Sequence, residues 1–111
     1  MKFDPDFLTE ELRKRGDEWA DKDAAFYALE KSSPDILAEC KRKVSSNEEK
    51  YVDAKAEMMA RCTAEWLEHR ELLSQAKREV NFAKVKYTTW QSYLELVRSK
   101  EATMRAEIQL T

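Results

Sequence analysis

The sequence predicts an all-α protein in which short N-terminal helices lead into one long coiled-coil-type helix, forming a helical hairpin or bundle that assembles into an oligomer. Three observations predict it. Among 111 residues there are one Gly and two Pro, so turn signals are scarce. The chain is 38% charged and rich in Ala, Glu, Lys, Leu and Arg, the composition of long helices. A heptad spacing of apolar residues also runs through most of the second half. A chain of this length holds one domain with a modest core; within it we divide residues 1–46, the short helices, from residues 47–111, the long heptad-patterned helix.

Taking the elements in order, Asp4-Pro5 reads as a helix start, an N-cap acceptor followed by a proline whose missing N–H costs nothing in a first turn. Phe7, Leu8 and Leu12 share a face, and Gly16 is expected to end this helix. A second helix is expected from Asp17, with Trp19, Phe26 and Leu29 within reach of a core. Ser33-Pro34 repeats the cap-and-proline signal and is expected to open a third, carrying Ile36, Leu37, Cys40 and Val44. Ser45-Ser46-Asn47 marks the next break.

Residues 48–111 contain neither Gly nor Pro and read as one helix of roughly 95 Å at 1.5 Å per residue. The alternating 4–3 seam runs Val52, Lys55, Met59, Cys62, Trp66, His69, Leu73, Ala76, Val80, Ala83, Tyr87, Trp90, Leu94, Val97, Glu101, Met104, Ile108, and fourteen of these seventeen are apolar or aromatic. A period of 3.5 sustained this long argues for a left-handed coiled-coil seam, with Tyr87 and Trp90 as core residues. Phe82, Val85 and Leu96 lie off the seam, so the apolar surface is wider than a two-stranded zipper needs. Either the N-terminal helices fold back over it or several chains pack together. Because the first 46 residues can cover only part of it, Trp66, Leu73, Val80, Tyr87, Trp90, Leu94, Val97, Met104 and Ile108 are expected to form an oligomer seam.

No apolar run approaches the ~20 residues of a membrane span, and MKFDPDFL has no signal-peptide core, which points to a cytoplasmic protein. Cys40 and Cys62 lack metal-type spacing and read as buried thiols. His69 is a lone histidine on a core stripe, and there is no phosphate loop and no nucleophile with a base. The sequence therefore carries no sign of an enzyme, a cofactor or a metal.

Charge is divided unevenly. Residues 1–68 hold 12 basic and 17 acidic side chains, whereas residues 69–111 hold 8 basic and 5 acidic. Within the second half, heptad position e reads Arg70, Lys77, Lys84, Gln91, Arg98, Arg105, with Arg78, Lys86 and Lys100 close by. This row is either a solvated flank paired with the glutamates at position g or a track for phosphates, with Tyr93 and Phe82 available to stack on bases. The candidate DNA-binding residues are Arg70, Lys77, Arg78, Lys84, Lys86, Arg98 and Arg105.

The run EWLEHRELLSQAKREVNFAKVKY, residues 65–87, resembles the UvsY-type recombination mediators of phages, small helical proteins with a Trp-Leu pair followed by a basic Ala/Lys/Val-rich helix ending in aromatics. Trp66-Leu67, Ala76, Lys77, Val80, Lys84, Lys86 and Tyr87 carry the likeness, while the glycine that follows the aromatics in the family is replaced by TTWQSYLE. The resemblance implies oligomeric, sequence-independent binding of single-stranded DNA and assistance to a recombinase or annealing protein in displacing single-strand-binding protein. A reading of another class is a non-catalytic protein-interaction module such as a phage assembly chaperone, a scaffold or an inhibitor of a host protein.

Overall fold

The computed structural model describes residues 4–45 and 53–110, all but a few of which are helical. The described residues form three helices and no strand: α1 (Pro5–Ser45), α2 (Asp53–Arg61) and α3 (Ala64–Leu110). The all-α class is as the sequence predicts, but the segmentation differs at both ends.

α1 begins where the Asp4-Pro5 signal places it. The Asp4 carboxylate accepts from the Asp6 N–H at 3.3 Å, and the Asp4 carbonyl accepts from Leu8 N–H at 2.9 Å. The expected short helices are instead one helix of 41 residues, continuous through Gly16 and with Pro34 inside it. The reason is a heptad that Gly16 and Pro34 conceal. Leu8, Leu12, Arg15, Trp19, Lys22, Phe26, Leu29, Ser33, Ile36 and Cys40 alternate at spacings of four and three, and each is buried or half-buried. Packing one long face outweighs the ~1 kcal/mol that a Gly and the ~3 kcal/mol that a Pro cost a helix interior. Pro34 lies on the exposed side, and just before it the Ser32 and Ser33 hydroxyls donate to the Leu29 carbonyl at 2.7 and 3.4 Å. The Ser45-Ser46-Asn47 break begins where α1 ends; its last two residues, and the seam residue Val52, lie outside the described residues.

The long second-half helix is divided at Cys62-Thr63. Cys62 and Thr63 N–H groups donate to the carbonyls of Met59 and Ala60, both at 3.1 Å, a tightening that ends α2. Thr63 then caps α3, its hydroxyl oxygen accepting from Trp66 N–H at 3.3 Å, with Glu65 in the favourable first turn. The heptad register slips here. α2 buries Ala56 and Ala60, whereas the predicted seam residues Lys55 and Cys62 are exposed. Cys62 is therefore an exposed thiol, against expectation, and Cys40 a buried one.

The chain forms two compact units, Met1–Lys22 with Glu79–Thr111 and Asp23–Arg78. In the first unit α1 and α3 run antiparallel. Trp19 packs against Tyr87 with ring centroids 5.4 Å apart and planes tilted by 45°, and Phe7 meets Trp90 edge-on at 6.1 Å. Leu8, Val80, Ala83 and Leu94 are buried. A Cβ on Gly16 would lie 3.4 and 3.6 Å from the Tyr87 ring, so the ring rests on α1 where the side chain is smallest. In the second unit Cys40, Ala60 and Trp66 form the core with Ile36 and Leu37 against it. Buried His69 shares a 2.7 Å hydrogen bond with Ser33.

The seam assigned to self-association is thus occupied from within. Every seam position of α3 from Trp66 to Val97 is buried or half-buried, and every other α3 residue is exposed. The seam residues Trp66, Leu73, Val80, Tyr87, Trp90, Leu94 and Val97 fold the chain on itself, because α1 supplies a matching heptad that the expected short helices could not. Met104 and Ile108 differ, being 60% and 70% exposed.

Candidate nucleic-acid interface

Seven residues separate successive members of the basic row, about 10.5 Å along a helix, so position e recurs on one flank of α3. In the second unit this flank carries Arg70 and Lys77 with Arg78 beside them; in the first it carries Lys84, Gln91, Arg98 and Arg105. All of the candidate cations, Lys86 included, are exposed.

Their partners differ. Lys77 Nζ stands 5.1 Å from the centre of the Phe26 ring, a cation–π contact. Lys86 pairs with Glu18 at 3.6 Å, and Arg105 Nε donates to the Glu101 carbonyl at 3.4 Å. Arg70, Arg78, Lys84 and Arg98 make no ion pair among the described residues. The glutamates at position g engage elsewhere: Glu79 pairs with Lys22 at 3.4 Å and Glu65 with Lys43. The hydrogen bond to Glu65 is the main cause raising the Lys43 pKa above its usual value.

The aromatics do not join this flank. Tyr87 and Trp90 are half-buried against Trp19 and Phe7. Phe82, at heptad position c, is 62% exposed and Tyr93, at position g, is 44% exposed, but both positions lie roughly 160° around the helix from position e at 100° per residue. Stacking by Phe82 and Tyr93 beside the basic row, the arrangement anticipated from sequence, is not what the helix presents. The row presents positive charge without an aromatic platform beside it.

The Ser33–His69 pair is packed beside Trp66, whose ring lies 5.6 Å from the imidazole, so it is a satisfied polar element of the core. No cluster of metal-ligating side chains occurs among the described residues, and no helix is long and apolar enough to cross a membrane.

A feature that sequence reading passed over lies on the far side of α3. Phe82, Val85, Thr89, Ser92, Leu96, Ser99, Thr103, Ala106 and Leu110 form a second, uncharged heptad row, and all nine are exposed. The signal was present in the residues Phe82, Val85 and Leu96, which do not fit the first seam.

No family model, curated protein or solved structure matches the chain.

Proposed function

We propose that this chain is a non-catalytic, phage-type recombination accessory protein of the cytoplasm that binds single-stranded DNA without sequence preference, as a homo-oligomer. It assists a recombinase or annealing protein in loading onto DNA covered by single-strand-binding protein. The observation that carries the reading is the exposed e flank of α3, where Arg70, Lys84 and Arg98 have no ion pair among the described residues. Cations held on a helix flank without a carboxylate partner attract a polyanion at no cost in broken salt bridges. The resemblance of residues 65–87 to UvsY-type mediators supports the same reading.

The exposed uncharged row supports a second reading, a helical protein-interaction module. The two separate in one experiment, a polarisation titration with labelled single-stranded DNA. Reversing Lys77 and Lys84 to Glu removes two phosphate contacts and flattens the salt dependence by about 1.4 in log–log slope, with helicity unchanged. Reversing Lys41 and Arg42 has much less effect. Absence of DNA affinity in the wild type at low salt leaves the interaction module as the better reading.

A further inference from the structure

We propose that two copies of this chain pair antiparallel through the outer row of α3, from Val85 to Leu110. The inference rests on the self-association part of the function proposed above and is independent of its nucleic-acid part.

The outer row repeats at alternating spacings of three and four over nine residues with no charge among them. Any two such positions of a helix recur at this spacing, the one a left-handed helix pair uses; what sets this row apart is nine uncharged residues in a chain that is 38% charged. Three of the four hydroxyls on this face, those of Thr89, Ser92 and Thr103, are already spent. Thr89 and Thr103 donate to the carbonyls of Val85 and Ser99 at 2.8 and 3.0 Å, and Ser92 donates to Thr88 at 3.0 Å. With their polar atoms turned to their own backbone, these residues can be covered without desolvating an unsatisfied group. Ser92, Ser99 and Ala106 are also small, which lets two helix axes approach toward the near end of the usual ~8–10 Å range.

Charge selects the partner and its direction. In an antiparallel pair the seam layers become Leu96 against the second copy's Ser99, Thr89 against its Ala106 and Val85 against its Leu110. The flank residues then meet as Lys86, which also pairs with Glu18 of its own chain at 3.6 Å, with the second copy's Glu107, and Tyr93 with its Lys100, each twice by symmetry. That gives opposite charges and a cation beside an aromatic ring, with no like charges opposed. Sliding the pairing by one heptad sets Lys86 against Lys100. Two shallow depressions indent the edges of the face, one lined by Asn81, Lys84, Val85, Thr88 and Thr89, the other by Ser99, Lys100, Thr103, Met104 and Glu107. The same register sets Leu110 and Leu96 of the second copy over them. A symmetric pairing of one patch with itself is the commonest form of oligomer.

The test is sedentation equilibrium of the intact chain without nucleic acid, followed across concentrations up to high micromolar. The expected mass rises from 13.1 kDa toward twice that value. Leu96→Glu, at a residue 54% exposed in the single chain, should raise the dimer dissociation constant at least ~10-fold while leaving helicity and Tm of the monomer intact. Glu107→Lys should raise it about 2- to 30-fold through the two symmetric contacts, and Glu95→Lys should leave it unchanged. A wild type that stays monomeric, or a dimer that survives Leu96→Glu, overturns the interface. Weakening by Glu95→Lys and not by Glu107→Lys overturns the antiparallel direction, because in a parallel pair Glu95 faces Lys100 and Glu107 faces Ala102. Failure of DNA binding leaves all of these readings of mass untouched, so the two proposals fall separately.

Discussion

Between Val80 and Val97 the inner face of α3 presents Val80, Ala83, Tyr87, Trp90, Leu94 and Val97, all buried or half-buried, while the outer face of the same turns presents Phe82, Val85, Thr89, Ser92 and Leu96, all exposed. Both rows have the same period. They differ in bulk: the inner row fills space with Tyr, Trp and Leu against Gly16, Trp19 and Phe7, whereas the outer row alternates an occasional large residue with Ser and Thr. Period alone therefore does not tell a packed face from an exposed one here, whereas side-chain volume does. Large residues on the inner face are tied to the stability of the single chain, and those on the outer face are not.

Truncation on the two faces should therefore separate sharply. Leu94→Ala removes a side chain that is 5% exposed and should lower unfolding free energy by about 2–5 kcal/mol. Phe82→Ala, on a residue 62% exposed, should change the stability of the isolated chain by no more than about 0.5 kcal/mol. Urea denaturation at low protein concentration reads both. Equal losses would erase the distinction between the faces.

A smaller effect is expected in the second unit, where the core is part polar. Ser33→Ala leaves buried His69 Nε2 without its 2.7 Å partner and should cost about 1–3 kcal/mol. A variant as stable as the wild type would show that water replaces the serine. At the lower end, Gly16→Ala should stabilise the chain by up to about 1 kcal/mol. The added Cβ would meet the Tyr87 ring at 3.4 and 3.6 Å, and the helix-interior penalty of glycine would disappear. A lower Tm would mean that the ring cannot yield to the new methyl.

The inner seam of α3 was legible from residue types alone between Trp66 and Val97, but its end at Val97 was not, because Met104 and Ile108 continue the apolar spacing and are exposed. The start of α1 at Asp4-Pro5 was legible too. The length of α1 was not. Gly16 and Pro34 are local signals worth a few kcal/mol at most, and they were weighed above the ten-position heptad of Leu8 to Cys40 that runs through both. That heptad holds Arg15, Lys22 and Ser33, so it reads as interrupted until α3 is seen to supply its partners. The division at Cys62-Thr63 was missed for the opposite reason. Thr63 is a cap without a breaker, and the apolar spacing bridges it. In the candidate interface, the basic flank was legible because heptad arithmetic fixes position e. The separation of Phe82 and Tyr93 from it follows from the same arithmetic and was overlooked because proximity in sequence was taken for proximity on the surface.

The inner face of α3 folds the chain, and the exposed basic flank is proposed to bind single-stranded DNA. Polarisation of labelled single-stranded DNA, titrated with the wild-type chain at two salt concentrations, tests it most directly. If Arg70, Lys77, Lys84, Arg98 and Arg105 each contact a phosphate, log affinity should fall with log salt at a slope near −3.5 for one chain's row, about 0.7 per contact, and should not depend on base sequence. No affinity at low salt, or an affinity that salt leaves unchanged, would contradict it.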